Sequence, residues 1–128
     1  MEVRLRADNF KSYEVHPWIG EVLHLKGSEF FLFTILYDKS SYGKNDVICM
    51  PKDLMAMMKC SRQTVIKATN RLKSTGLIYK YEKKTEEGTM HCYRINMDKI
   101  KPLEKEIKEY NEQLQKEYEA LENGGEGI

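Results

Sequence analysis

The sequence has few cysteines, and their spacing suits neither a metal site nor a disulfide framework. Cys49, Cys60 and Cys92 lie far apart, with no CxxC pair and no histidine at ligand spacing. Structural zinc needs closely spaced ligand pairs, and a small disulfide scaffold needs an even set of cysteines. We therefore expect reduced thiols and no metal, as is usual in the cytoplasm.

Long apolar runs and nucleotide-binding loops are also missing. The longest apolar stretch, around Phe30 to Tyr37, is far too short to span a bilayer, and the N-terminus has no run of signal-peptide length. The chain contains no GxxxxGK[ST], GxGxxG or HExxH motif and no visible catalytic triad. We expect a soluble cytoplasmic protein that is not an enzyme and needs no cofactor.

The chain as a whole has almost no excess of either charge, because 21 basic residues oppose 20 acidic ones. The distribution is uneven, however. Residues 1–98 carry 16 basic and 12 acidic side chains, whereas residues 99–128 carry 5 and 8. The stretch from Lys59 to Lys84 has eight basic residues and one acidic residue. Such a local concentration of positive charge favours a polyanionic partner.

The length and composition predict one domain with an appendage. A chain of 128 residues, 41% of them hydrophobic, can bury a core without staples. We predict an N-terminal strand and arm over residues 1–17 and a folded domain over 18–98. An amphipathic helix over 99–122 and a flexible tail over 123–128 complete the predicted organisation.

The middle of the chain carries the start and stop signals of three helices. The segment from Ser28 begins with an N-cap residue and is apolar on nearly every side, which is typical of a helix buried inside a domain. Pro51 suits the first position of a second helix, because a proline there gives up no hydrogen bond. Ser61 is a good N-cap for a third helix, Arg62 to about Ser74, which stops at Gly76. The second and third helices form a helix-turn-helix.

Two strand-like runs follow the third helix directly. LIYKYEKK and TMHCYRIN are rich in Ile, Tyr and Thr, and the loop at residues 85–88 has the length and the glycine of a hairpin. We expect Tyr79, Tyr81 and Tyr93 to form cross-strand aromatic pairs. A helix-turn-helix with a hairpin behind it predicts a mainly α fold with a small β component (α+β). It is a winged helix-turn-helix, followed here by a long coiled-coil-like C-terminal helix.

The exposed side of the third helix is the predicted functional surface. On a helical wheel Val65, Thr69 and Leu72 fall on the side that would pack against the other helices. A polar basic face on an isolated helix is usually only solvated, but here the glycine-ended helix and a basic hairpin follow in the order of a DNA-binding winged helix. Amide, hydroxyl and cationic groups suit the base edges and phosphates of double-stranded DNA. The predicted DNA-binding residues are Arg62, Gln63, Thr64, Lys67, Asn70, Arg71, Lys80, Lys83 and Lys84.

The C-terminal segment has the apolar spacing of a coiled coil, with steps of three, four and seven residues. About three heptads are near the minimum for a dimer, and Glu117 interrupts the seam beside Tyr118. We predict a homodimer. The alternative is a helix that folds back onto its own domain. The seam residues are Ile100, Leu103, Ile107, Tyr110, Leu114 and Leu121.

Residues 16–96 resemble a known family. The runs LHLKGSEFFLFTILYDKS, SRQTVIKATNRLKSTGLIYK and MHCYRI are similar to the winged-helix region of replisome organisers, which are replication proteins of phages and other mobile elements in low-GC Gram-positive bacteria. These proteins are distantly similar to DnaD-type N-terminal domains. The motif LKGxE from Leu25 and the motif TVxxxxxxLxxxGLI from Thr64 carry the resemblance.

The resemblance implies a role in replication initiation, in which the winged domain binds origin DNA or self-assembles and another region engages replication proteins. Met57 stands where the family pattern has an aromatic residue, and Thr69 where it buries a leucine. Only a short acidic helix follows the wing, which leaves three alternatives: a small accessory protein, a transcriptional regulator or a fragment of a longer protein. A rival of another class is a scaffold for a replication or regulatory protein partner. The resemblance implies these groove-facing residues: Gln63, Lys67, Asn70 and Arg71.

Overall fold

A computed structural model describes residues 1–126, which combine six α-helices with one small sheet. Within this range no helix has both the length and the apolar composition that crossing a bilayer requires. The elements are β1 (Glu2–Arg4), a 3-10 turn (Ala7–Asn9), α1 (Trp18–Glu21), α2 (Gly27–Lys39), β2 (Asp46–Cys49), α3 (Pro51–Met58), α4 (Arg62–Ser74), β3 (Ile78–Thr85), β4 (Gly88–Ile95), α5 (Met97–Ile100), a second 3-10 turn (Lys101–Leu103) and α6 (Glu104–Glu126).

Helix α2 is the centre of the core, as its apolar sequence predicts. Leu32, Phe33 and Ile35 have no exposed surface, and the helix contacts both α3 and α4. The predicted N-cap at Ser28 is wrong: the N-cap is Lys26, two residues earlier, and Ser28 lies within the first turn of α2. A helix that is apolar on nearly every side can be stable only where it is covered all round, so the other elements pack around it.

The helix-turn-helix has the predicted boundaries. The Oγ atom of Ser61 accepts a hydrogen bond from the Thr64 N–H at 3.2 Å and so caps the start of α4. At the other end Gly76 has a φ of +77°, and the Leu77 N–H donates to the Leu72 carbonyl at 3.0 Å. This left-handed turn ends α4 and directs the chain into β3.

The sheet has the strand order β1-β2-β4-β3, with β1 parallel to β2 and the other neighbours antiparallel. Strands β3 and β4 form the predicted wing, joined by Glu86 and Glu87. Three helices that surround a buried core and a hairpin that follows α4 confirm the α+β winged helix-turn-helix fold with a long C-terminal helix.

The prediction of cross-strand aromatic pairs in the wing is wrong. Tyr79 lies opposite Arg94, Tyr81 opposite Cys92, and Tyr93 opposite Lys80. Because side chains alternate along a strand, Tyr79 and Tyr81 point to the outer face of the sheet, where each is about half exposed, while Tyr93 is buried on the α4 side. The register, which the strand compositions do not reveal, decided this outcome.

A buried carboxylate attaches the N-terminal arm to the helix-turn-helix. Asp53 accepts hydrogen bonds from the Met50 N–H at 3.1 Å and from the Ala7 N–H at 3.2 Å. The first bond caps α3, and the second holds the arm beside it. Leu5, next to the strand β1, is buried in the same core.

The C-terminal region is not one continuous helix from residue 99. Helix α5 ends at Ile100, a 3-10 turn contains Pro102, and α6 begins at Glu104. Proline lacks the N–H that a continuing helix would use, so the break lies at its position. Helix α6 then extends to Glu126, over part of the predicted tail, residues 123–128; residues 127 and 128 of that prediction lie outside the described residues.

Candidate nucleic-acid interface

Helix α4 has one buried stripe and one exposed face, as the helical wheel predicts. Val65, Thr69 and Leu72 are buried against the core, and Ala68 is buried with them. The opposite face carries Gln63, Lys67, Asn70 and Ser74, all exposed. The exposed face therefore presents amide, hydroxyl and ammonium groups along about three turns of helix.

One flank of this face lies beside the start of α2. Thr64, Lys67 and Arg71 share a surface depression with residues 26–29. The Arg71 Nε atom is 3.6 Å from an Oε atom of Glu29, and Arg71 remains well exposed. This loose ion pair orients Arg71 without covering it.

The other flank lies against the sheet. Arg62, Ile66 and Asn70 of α4 line a narrow cavity of about 50 Å³ together with Lys80 of β3 and His91 of β4. Residues that are far apart in the chain are thus neighbours at the junction of α4 and the wing.

The lysines of the wing face opposite sides. Lys80 and Lys84 alternate onto the side of the sheet where α4 lies. Lys83 points to the outer side, where its Nζ atom is 2.9 Å from an Oε atom of Glu2. The structure therefore groups Lys80 and Lys84 with the predicted residues of α4 and separates Lys83 from them.

The two sides of the sheet differ in how their cations are neutralised. On the outer side Arg4 lies beside Glu87, Lys83 beside Glu2, and Arg94 beside Asp46. On the α4 side, five cations have no carboxylate within 4.0 Å among the residues that the structure describes: Arg62, Lys67, Lys73, Lys80 and Lys84. Glu82 and Glu29 lie on this side as well, beside His91 and Arg71, so the α4 side keeps an excess of positive charge that is only partly neutralised.

Burial, together with the neighbouring positive charge, lowers the pKa of two wing residues. Partial burial lowers the pKa of Lys80, and the nearby ammonium of Lys73 lowers it further. Burial also lowers the pKa of His91, followed by the charge of Lys80, although Glu82 acts in the opposite direction. Both shifts have the sign expected where cations lie close together and are partly removed from water.

Three residues at this interface were missed by the sequence analysis. Ile66 is 44% exposed beside the polar groups of α4, and Lys73 and His91 adjoin Lys80. The position of Ile66 on the wheel, between Arg62 and Asn70, could have revealed it. His91 could not have been found in this way, because only the strand register brings it next to α4.

The predicted seam of the C-terminal helix divides into two parts. Ile100 is buried, and Ile107 and Tyr110 pack against the core of the winged domain. Leu103 and Leu114 are half-buried. Beyond them Tyr118 is 59% exposed and Leu121 is 72% exposed. The first half of the seam therefore contacts its own chain, and the second half extends past the domain with its apolar residues uncovered.

No group of three or more histidine, cysteine or acidic side chains is placed to hold a metal ion within the described range.

Comparison with solved structures finds a similar fold in a protein of Methanosarcina mazei Go1 that is named a possible transcriptional regulator. The two chains are 15% identical with a TM-score of 0.50, and the similarity covers 85% of this chain and 89% of the other. At this identity the likeness shows the fold alone.

No family model matches the sequence. No curated protein matches it either. The relation to replisome organisers therefore stays a prediction from the motifs at Leu25 and Thr64.

Proposed function

We propose that this chain binds double-stranded DNA as a regulator of the winged-helix type. Helix α4 would enter the major groove, and the wing would contact the flanking backbone through Lys80 and Lys84. The observation that carries this proposal is the set of uncompensated cations on the α4 side, whereas cations on the outer side are paired with carboxylates. Cations left without internal partners on one face supply the counterion-releasing contacts of DNA binding.

The chemistry of the exposed face fits base recognition. Gln63 and Asn70 carry amides that donate and accept hydrogen bonds, which is the pattern that reads adenine in the major groove. Ile66 offers an apolar surface of the kind that contacts a thymine methyl group. Lys67 and Arg71 flank these groups and suit guanine or phosphate oxygens.

The experiment is binding of the intact protein to fragments of its source genome, followed by sequencing of the bound fragments and affinity measurement at several salt concentrations. Contacts with about six phosphates predict a log–log salt slope of roughly −5. Lys67→Ala and Arg71→Ala should weaken binding while leaving the circular dichroism spectrum unchanged. If no DNA shows salt-sensitive binding, the proposal is wrong.

The same fragments separate regulation from replication. The M. mazei protein with this fold is named a possible transcriptional regulator, which favours regulation. Sites at several promoters would support that role. A single cluster of sites at one origin would instead support the replication role that the sequence resemblance implies, and a protein partner without any DNA site would support a scaffold.

We further propose that two copies associate through the distal half of α6. Tyr118 and Leu121 continue the heptad seam beyond the part that packs on its own domain, and both are exposed. A two-fold dimer would present two α4 helices to half-sites about one helical turn apart. Sedimentation of the intact protein beside a variant with lysines at Tyr118 and Leu121 tests this association.

A further inference from the structure

We propose that Arg62, Lys80 and His91 form a pocket for one phosphate group at the junction of α4 and the wing. If the phosphate belongs to DNA, this inference rests on the proposed function, because the ligand would be a backbone phosphate beside the major groove. The pocket adds His91 to the interface and assigns Arg62 and Lys80 to a single phosphate.

The geometry of the junction supports a built site. The cavity of about 50 Å³ is lined by Arg62 and Asn70 from α4, Lys80 from β3 and His91 from β4, with the buried Tyr93 beside them. Three separate elements thus place nitrogen-bearing side chains around one small volume. A cavity of this size accommodates one or two water molecules or the oxygens of a phosphate, and it is too small for a base.

The charges of the pocket favour an anion. Lys80 is only partly exposed, and neither it nor Arg62 has a carboxylate within 4.0 Å in the described part of the chain. The nearest acid to His91 is Glu82, with 3.8 Å between an Oε atom and Nε2, and Glu82 itself is largely exposed. Partly desolvated cations without a partner are costly, and a phosphate would offset that cost with charge-assisted hydrogen bonds.

Protonation of His91 should be coupled to phosphate binding. Lys80 and Glu82 act on its ring from β3 and Arg62 acts from α4. On the β2 side its neighbour is Cys49, whose thiol stays protonated because burial raises its pKa to about 12. A bound phosphate would counter the two cations and favour the imidazolium, so affinity for phosphate should rise as the pH falls below the usual histidine range.

The first test measures duplex DNA binding by Lys80→Gln and Arg62→Gln. Each variant should lose about 0.9 from the salt slope and roughly tenfold in affinity at low salt. Lys44→Gln, an exposed lysine in the loop between α2 and β2, is the matched control and should match the wild type. Lys83→Gln should lose less than Lys80→Gln, because Lys83 lies on the outer side. Variants at Lys80 and Arg62 that bind DNA as the control does would refute the pocket, while DNA binding through the exposed face of α4 would still stand.

The second test follows the imidazole signals of His91 by NMR as a function of pH. Spectra are taken in chloride, in inorganic phosphate at equal ionic strength, and with duplex DNA. We expect the His91 midpoint to rise in phosphate or with DNA, while that of the exposed His24 stays constant. His91→Gln should abolish the pH dependence of binding.

The two arms of this test identify the source of the phosphate. A response to DNA supports a backbone phosphate. A response to inorganic phosphate in a protein that does not bind DNA supports the pocket, refutes the proposed function and assigns a free phosphate compound. An unchanged His91 midpoint in both media overturns the pocket.

Discussion

At the scale of single residues, Asn96 connects the end of the wing to the end of α4. Its buried side chain donates a hydrogen bond to the Gly76 carbonyl at 2.8 Å and accepts one from the Asp98 N–H at 3.2 Å. Its backbone N–H donates to the Leu77 carbonyl at 2.9 Å. One residue therefore fixes the position of β4 relative to α4.

Asn96→Ala should lower the free energy of unfolding by about 1–3 kcal/mol, because the partly buried Gly76 carbonyl would lose its partner. Denaturant titration measures the change. Asn111→Ala, on an exposed face of α6, is the matched control and should change stability by less than about 0.5 kcal/mol. Equal effects of the two substitutions would mean that the Asn96 bonds contribute nothing.

The three cysteines should differ in reactivity. Burial raises the pKa of Cys49 to about 12 and raises that of Cys92 as well, so both thiols remain protonated at pH 8. Cys60 lies in the turn before α4 and is only partly buried. Because the thiolate is the reactive form, iodoacetamide should modify Cys60 first in the native protein. Mass spectrometry of the digested product identifies the site, and prior labelling of Cys49 would contradict the fold at β2.

At the scale of elements, three strands of the sheet are joined by one carboxylate on the outer face. Asp46 of β2 accepts bonds from Arg94 of β4 at 2.8 and 3.0 Å and from the Tyr81 hydroxyl of β3 at 2.8 Å. The bond from Arg94 is the main reason that the pKa of Asp46 lies below its ordinary value. This network links the wing to the body of the domain.

The Asp46 network should make stability depend on pH. Because its folded pKa is depressed, the stabilisation is present above the usual carboxyl value near 3.8 and is lost as the pH falls through the lower folded value. Asp46→Asn should therefore reduce stability at pH 7 and flatten the decline that sets in as the pH falls below about 4. Thermal unfolding across this range measures it, with Asp8→Asn, an exposed acid in the arm, as the control. A wild-type decline in the Asp46 variant would exclude this carboxylate as its source.

At the scale of the whole molecule, the two halves of α6 differ in what they contact. Ile107 and Tyr110 cover the core of their own domain, whereas Tyr118 and Leu121 have no cover in the described part of the chain. A truncated chain that ends at Asp98 would lose the residues that cover the core as well as the exposed seam. Substitutions at the distal end therefore test association more cleanly.

The intact chain should sediment as a dimer, and the double variant Tyr118→Lys with Leu121→Lys should sediment as a monomer. Lysines that face each other across an apolar seam repel, and this repulsion should exceed the stabilisation from the remaining contacts of the seam. Gln113→Lys, an exposed position on the same helix, is the control and should stay dimeric. A wild-type monomer at every accessible concentration would contradict the dimer.

The sequence by itself determined the helix-turn-helix, the hairpin that follows it and the polar face of α4. Caps, left-handed glycines and helical periodicity depend on residues a few positions apart, so Ser61, Gly76 and the stripe containing Val65 and Leu72 could be assigned without a structure. The same local rules located the hairpin of the wing.

Only the tertiary structure decided which groups share a surface. The strand register turned Lys80 toward α4 and Lys83 toward Glu2, which is 81 positions away in the chain. The register also brought His91 beside Arg62. The packing of α6 placed half of the predicted seam on its own domain. These outcomes depend on contacts between distant residues, and a local pattern contains no information about which distant partner will cover or neutralise a side chain.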